Sequence, residues 1–143
     1  MDSLRVIVAG GRDFTNINVM ATVLNNLQDV DHVIEIEKLI LICGMARGAD
    51  LTAYKLFKEA GLPVEAYPAD WKNLEVPDAV IKYNRHGAYN ATAGYTRNIE
   101  MAHNADMLIA FWDGSSSGTK HMIATARKHN LNVLVFNYEG NPI

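Results

Sequence analysis

A single cysteine, Cys43, among 143 residues leaves no partner for an internal disulfide. The fold must therefore be held by its core, and a reducing compartment is the expected setting. No C-x-x-C or H-x-x-x-H spacing is present, and His32, His86 and His103 fall at no metal-binding interval; no metal is implied. Basic charge is also scarce, with 13 Lys and Arg against 16 Asp and Glu and a net charge of -3. Tight, sequence-independent duplex binding draws on a cationic surplus, so nucleic acid is a disfavoured partner. No run approaches the roughly 18 apolar residues of a membrane span. The opening "MDSLRVIVAGG" enters a strand-like segment without a basic leader region. These absences set the expectation of a soluble, cytoplasmic protein with no membrane partner.

What is present is an ordinary globular composition, 49% hydrophobic and 20% charged, expected to form one domain over residues 1–143. Short apolar runs, "LRVIVAG" (4–10), "LILICG" (39–44), "PVEAYPA" (63–69), "DMLIAFW" (106–112) and "NVLVFN" (132–137), read as buried strands. Apolar residues at helical spacing separate them, as in Val19, Val23 and Leu27 or Leu51, Tyr54 and Leu56. Strands that are apolar along their whole length are covered on both faces. The predicted architecture is therefore α/β: a Rossmann-like three-layer fold with a five-stranded, mainly parallel sheet. Right-handed crossovers and the usual winding give the order 3-2-1-4-5, with the switch point between the first and fourth strands.

One stretch breaks the alternation. Residues 70–98, with a long loop insertion at about 70–95, carry Trp71, Tyr83, Tyr89 and Tyr95 beside Lys82, Arg85 and His86. Connections this long are uncommon in compact domains and often functional. The segment reads either as a short extra helix at about 79–84 with surface loop, or as a lid or oligomer contact.

Three glycine-rich loops follow the first, second and fourth strands: "GGRDFTN" (10–16), "CGMARGAD" (43–50) and "WDGSSSGTK" (112–120). Adjacent strands would bring them to one pocket at the switch point. The first loop is not G-x-G-x-x-G, and the third, with Thr119 before Lys120, is not a Walker loop; no standard NAD or ATP cofactor is implied. The third loop still meets the requirements of an anion site. Gly114 and Gly118 permit close approach, while Ser115, Ser116, Ser117 and Thr119 supply hydroxyl and N–H donors at a helix start. Equally, Ser117 or Thr119 could simply cap that helix. Arg12, Arg47 and Arg97 lie beyond strand ends or at a helix start, where guanidinium forks suit phosphate. With Gly10, Gly11, Gly44, Gly48 and Asn98 they complete the expected ligand-binding set. Asp50 reads as a helix cap, Asp13 as a ribose or amine partner or a loop brace, and Cys43 as a small core residue. His121 could reach a ligand, and His129 reads as a helix C-terminal charge.

The ordered motifs "AGGRDF", "GMARGAD", "YPADW", "AGYTRNIEM", "ADMLIAFWDGSSSGTKHMI" and "LNVLVF", spread over residues 4–137, resemble the YspA-type, YpsA-related branch of the SLOG superfamily. The resemblance implies a Rossmann-like fold that binds a nucleotide or nucleotide-derived small molecule, without a generally assigned reaction, and it makes a homo-oligomer plausible. "GSSSGT" is similar to the P-G-G-x-G-T-x-x-E loop of the LOG-type phosphoribohydrolases, and Arg97 to their catalytic arginine. Met122 stands where their glutamate would be, and Asn98 replaces the lysine beside the arginine. N-glycosidic cleavage needs a group that protonates the leaving base or stabilises an oxocarbenium-like centre, which methionine cannot do. Arg97 and Glu100 are the catalytic candidates if hydrolysis survives. "ARGAD" is similar to an element of DprA, which implies single-stranded DNA binding as a further alternative. The net charge, and aromatics confined to one loop, weigh against it.

Overall fold

The computed structural model describes residues 3–31, 36–75, 79–85 and 87–143; His32 and His86 lie outside the described residues. In chain order the elements are β1 (Leu4–Gly10), α1 (Ile17–Asp31), a 3-10 turn (Ile36–Lys38), β2 (Leu39–Cys43), α2 (Ala49–Glu59) and β3 (Val64–Ala66). There follow β4 (Ile81–Asn84), β5 (Gly87–Asn90), α3 (Ala93–His103), β6 (Met107–Phe111), α4 (Ser117–Lys128) and β7 (Asn132–Phe136). Five strands form one sheet in the order β3-β2-β1-β6-β7, every neighbouring pair parallel. With the β4-β5 pair set aside, this is the expected 3-2-1-4-5 winding, and the fold is Rossmann-like.

Strand alternation builds two cores from one sheet. Val6 and Val8 of β1, Leu41 and Cys43 of β2, and Ile109 and Phe111 of β6 face Met20, Val23 and Leu24 of α1 and Ala53 and Phe57 of α2. Ile7, Ile42, Leu108 and Ala110 face Met101 of α3 and Met122, Ile123 and Ala126 of α4. Each large aliphatic or aromatic side chain buried this way contributes about 1.5–3 kcal/mol. Among the described residues, no helix is long and apolar enough to cross a membrane.

Local chemistry sets the helix ends. Asn16 caps α1, its Oδ1 accepting the Val19 amide at 3.2 Å. α4 carries Arg127 and Lys128 in its last turn and ends at His129, whose Nδ1 lies 2.9 Å from the Thr125 carbonyl. His129 thus stands at the C-terminal end of α4, where the sequence placed it.

The expected helix at 79–84 is instead a strand. β4 pairs antiparallel with β5, Lys82 opposite Tyr89 and Tyr83 opposite Ala88. All four β4 side chains are exposed, so no buried apolar face was available to hold a helix onto the body. Backbone pairing, with Gly87 at φ 107 opening the return strand, is what orders the segment.

Loop one rests directly on the start of α2. The Ala49 amide donates to the Gly11 carbonyl at 3.1 Å. Gly48 has φ 85 and ψ -128, and a Cβ there would meet the backbone of Gly11 and Arg12, 2.5 Å from Arg12 Cα. At Gly10 a Cβ would lie 2.8 Å from Ala49 Cβ and 2.5 Å from the Phe111 carbonyl. Gly114, by contrast, has φ 87 with nothing within 4 Å of a Cβ. Gly48→Ala is thus expected to lose at least about 3 kcal/mol, from a glycine-only conformation plus a backbone clash. Gly114→Ala should lose only the left-handed cost of about 1–2 kcal/mol. Urea midpoints of the two variants check this, and equal losses would show that the loop contact carries no weight.

Candidate functional site

Loops one, two and three meet over the carboxyl ends of β1 and β6 around a cavity of about 480 Å³, within the usual size of a small-molecule site. Of the expected binding residues, Gly10, Gly11, Arg12, Arg97, Asn98, Ser116, Ser117, Gly118 and Thr119 line it. Gly44, Arg47, Gly48, Gly114 and Ser115 are not part of the lining. Arg47 is exposed beyond β2, and Gly44 and Gly48 are buried under the loops they shape. Glu100, expected as a catalytic candidate, is exposed on α3 and outside the lining.

Half-buried Arg97 is held from several sides. Its Nη1 donates to the Gly44 carbonyl and, at 3.5 Å, to that of Tyr67. Its Nε donates to Asn98 Oδ1 at 3.2 Å. A Cβ on Gly44 would lie 2.6 Å from Arg97 Nη1 and 2.7 Å from Asp50 Oδ2. The glycine of loop two therefore makes room for protein side chains.

Asn98 is buried, and its Nδ2 donates to His121 Nδ1 at 3.1 Å. That bond requires the proton of a neutral His121 ring on Nε2. Burial holds His121 below its ordinary pKa, in the neutral form the bond needs, and Tyr95 stacks on it at 4.3 Å. His121 braces Asn98 from behind and does not line the cavity.

Asp50 is the residue the sequence reading misplaced. α2 has no side-chain cap bond. Asp50 Oδ2 instead accepts the Ala46 amide at 3.2 Å, closing loop two, while the carboxylate is buried in the cavity wall. Burial pushes its pKa up to about 6, against the opposing pull of Arg97, the Ala46 amide and Arg12. Desolvation likewise lowers Arg97, and Asp50 partly offsets it.

Asp13 also lines the cavity, but its Oδ1 accepts the Tyr138 hydroxyl at 2.6 Å. Phe14 stacks on Phe111 at 4.6 Å. Asp13 thus braces loop one through Tyr138 while standing in the cavity lining. Cys43 is buried, which pushes its thiol up to about 11; it is a core residue.

In loop three, Asp113 Oδ1 accepts the amides of Ser115 at 2.9 Å and Ser116 at 2.8 Å. These two bonds hold its carboxyl below the usual range. Trp112 Nε1 donates to the Ser116 carbonyl at 3.1 Å. The amides of Ser115 and Ser116 are therefore committed to the loop itself. Those of Ser117, Gly118 and Thr119 form the first turn of α4, where a helix offers no internal acceptor; the bond back to Ser116 begins at Lys120. Neither expected capping hydroxyl makes a cap bond to backbone: α4 starts after Ser116 without one, and Thr119 Oγ1 lies 3.1 Å from Ser116 Oγ.

Trp71 and Met122 are among the lining residues outside the expected binding set. Trp71 closes the cavity from the inserted segment, its ring 3.0 Å from where a Gly94 Cβ would stand. Met122 is buried in the wall at the position of the missing glutamate. Its helical spacing matches that of any core residue.

Residues 4–74 match the YspA, cpYpsA-related SLOG family. The chain is 33% identical over 138 residues to the Gene 61 protein of Mycobacterium phage D29, covering 92% of this chain and 95% of the phage protein. Among solved structures it resembles DNA processing protein A (DprA) of Streptococcus pneumoniae, with a TM-score of 0.66 at 16% identity, covering 93% of this chain and 50% of that one. It also resembles DNA processing protein A of Helicobacter pylori, described for its single-stranded DNA binding mode, with a TM-score of 0.55 at 15% identity. That match covers 94% of this chain and 65% of the Helicobacter protein. The chain thus spans half to two thirds of these structures, and the likeness is one of fold.

The raised pKa of Asp50 fixes a pH dependence. Its folded value of about 6 exceeds the unfolded value near 3.9, so between these pH values the folded state binds more protons. Stability from this group falls as pH rises through that window, by about 3 kcal/mol in all. Urea unfolding of wild type and Asp50→Asn from pH 4 to 7.5 should show wild type losing stability relative to the variant by an amount of this order. A difference independent of pH would contradict the assignment.

Proposed function

The chain belongs to the YspA, cpYpsA-related SLOG family, and from that premise we propose that it binds a nucleotide or nucleotide-derived phosphate ligand in the cavity. One observation carries the reading. Arg12, the braced Arg97 and the open first turn of α4 converge on a single cavity at the strand-order switch point. The Ser117–Thr119 turn offers backbone donors and partial positive charge to a phosphate, and the two guanidinium groups add charge and direction. The aromatic rings of Trp71 and Tyr95 provide a surface for a base.

A thermal-unfolding panel of nucleoside mono- and diphosphates, ADP-ribose, NAD and cyclic nucleotides tests this. A ligand at 100 times its dissociation constant adds about 2.7 kcal/mol. Gly118→Ala separates fold from site, because nothing lies within 4 Å of a Cβ there and alanine favours a helix over glycine by about 1 kcal/mol. The variant is expected to unfold at or above the wild-type temperature while losing most of the ligand-induced shift. A shift equal to wild type would remove the α4 turn from the site, and no shift with any compound in wild type would remove the reading.

Asp50 favours a second reading, N-glycosidic hydrolysis. It places an acid titrating near neutrality in the cavity wall, where Met122 offers none. The carboxyl would give its proton to the departing base as the bond to ribose C1′ breaks. Water would add at C1′, yielding free base and the sugar phosphate and returning a proton to Asp50. Incubation of the panel compounds followed by product chromatography is expected to show base released by wild type and not by Asp50→Asn. Intact nucleotide with wild type would leave binding alone.

A further inference from the structure

Beside the first cavity lies a second, of about 590 Å³, walled by Arg12, Trp71, Lys72, Lys82, Asn84 and Tyr89. The two share Arg12, Trp71 and Ala91, so they adjoin at the indole and the guanidinium. Resting on the reading of the first cavity as a nucleotide site, we infer that the second is a subsite for another nucleoside unit. The ligand class is then two nucleosides joined through phosphate.

The chemistry of the wall carries this. Three cationic side chains and no carboxylate, among the described residues, line the second cavity, in a chain of net charge -3. Chance would place acids there at least as often as bases. Lys82 and Tyr89 are directly opposed across the hairpin, and directly opposed residues share a face. The inserted hairpin therefore turns a cation and an aromatic ring together toward the cavity, while Tyr83 is 78% exposed.

Trp71 and Tyr89 meet edge to face, centroids 6.5 Å apart. The Trp71 main chain is held by its carbonyl, which accepts the Asn90 amide at 2.5 Å, and its ring rests against Tyr89 and Gly94, yet the residue stays 37% exposed. An anchored, half-open indole beside lysines is the combination that stacks a base and holds its phosphate. Arg12, common to both walls, falls where a phosphate joining the two units would pass. Binding a long strand would call on many phosphate contacts along an extended basic path, whereas these cations gather around one bounded space.

Calorimetric titration of the full chain with AMP, with the dinucleotide pApA and with a twenty-residue oligoadenylate tests the assignment, alongside Lys72→Ala/Lys82→Ala. Both lysines are exposed, so the double variant is expected to fold as wild type; Tyr89→Ala provides an independent second variant. The expected result is pApA at least tenfold tighter than AMP, with most of that gain lost in either variant while AMP binding stays within twofold. Equal affinity of AMP and pApA in wild type, or an equal loss of both in the variants, would overturn the subsite and leave the first cavity standing. An oligoadenylate more than tenfold tighter than pApA per site would overturn it in favour of strand binding. Binding of none of the three would overturn this subsite, and the nucleotide reading would fall with it where the full panel also gives no shift.

Discussion

The site depends on one backbone contact, the 3.1 Å hydrogen bond from the Ala49 amide to the Gly11 carbonyl. Through it the loop after β1 lies on the first residues of α2, so two loops that are remote in sequence become one wall. Gly48, in a conformation open only to glycine, and Gly10, against Ala49 and Phe111, bring the backbones close enough for it to form. The aromatic stack of Phe14 on Phe111 and the Asp13–Tyr138 bond then fix the far side of loop one. Arg12 is presented to both cavities from this braced loop.

A second constraint acts at the floor. Arg97 and Asp50 are both drawn out of water, each at a cost, and each offsets part of the cost to the other. Neutral partners position both: for Asp50 the Ala46 amide, and for Arg97 the carbonyls of Gly44 and Tyr67, the side chain of Asn98 and, behind Asn98, the ring of His121. The arginine thus reaches the cavity already oriented, with little conformational freedom left to it.

Much of the frame was legible in the sequence, because continuous apolar strands buried on both faces leave an unmistakable pattern and the winding rules restrict their order. β1, β2, β6 and β7 fall where the runs lie. The hairpin was not legible, since "IKYN" exposes every side chain and thus carries no burial signal. Asp50 was misread for a different reason. An acid two residues after glycine at a helix start reads as a cap, and only the approach of loop one and Arg97 makes it a wall residue. The arginines divide the same way: Arg12 and Arg97 reach the cavity and Arg47 does not, a difference set by tertiary position.

The glycines of loops one and two answer chiefly to neighbouring protein atoms, whereas Gly118 faces open space. Two kinds of information are therefore written in similar letters. A relative could lose the cavity's charge altogether and still keep the glycines of "GGRD" and "ARGAD", because its backbone would not close without them. Fidelity to those glycines measures descent of the scaffold, whereas the walls of the two cavities are written at Arg12, in the first turn of α4 and on the inserted hairpin.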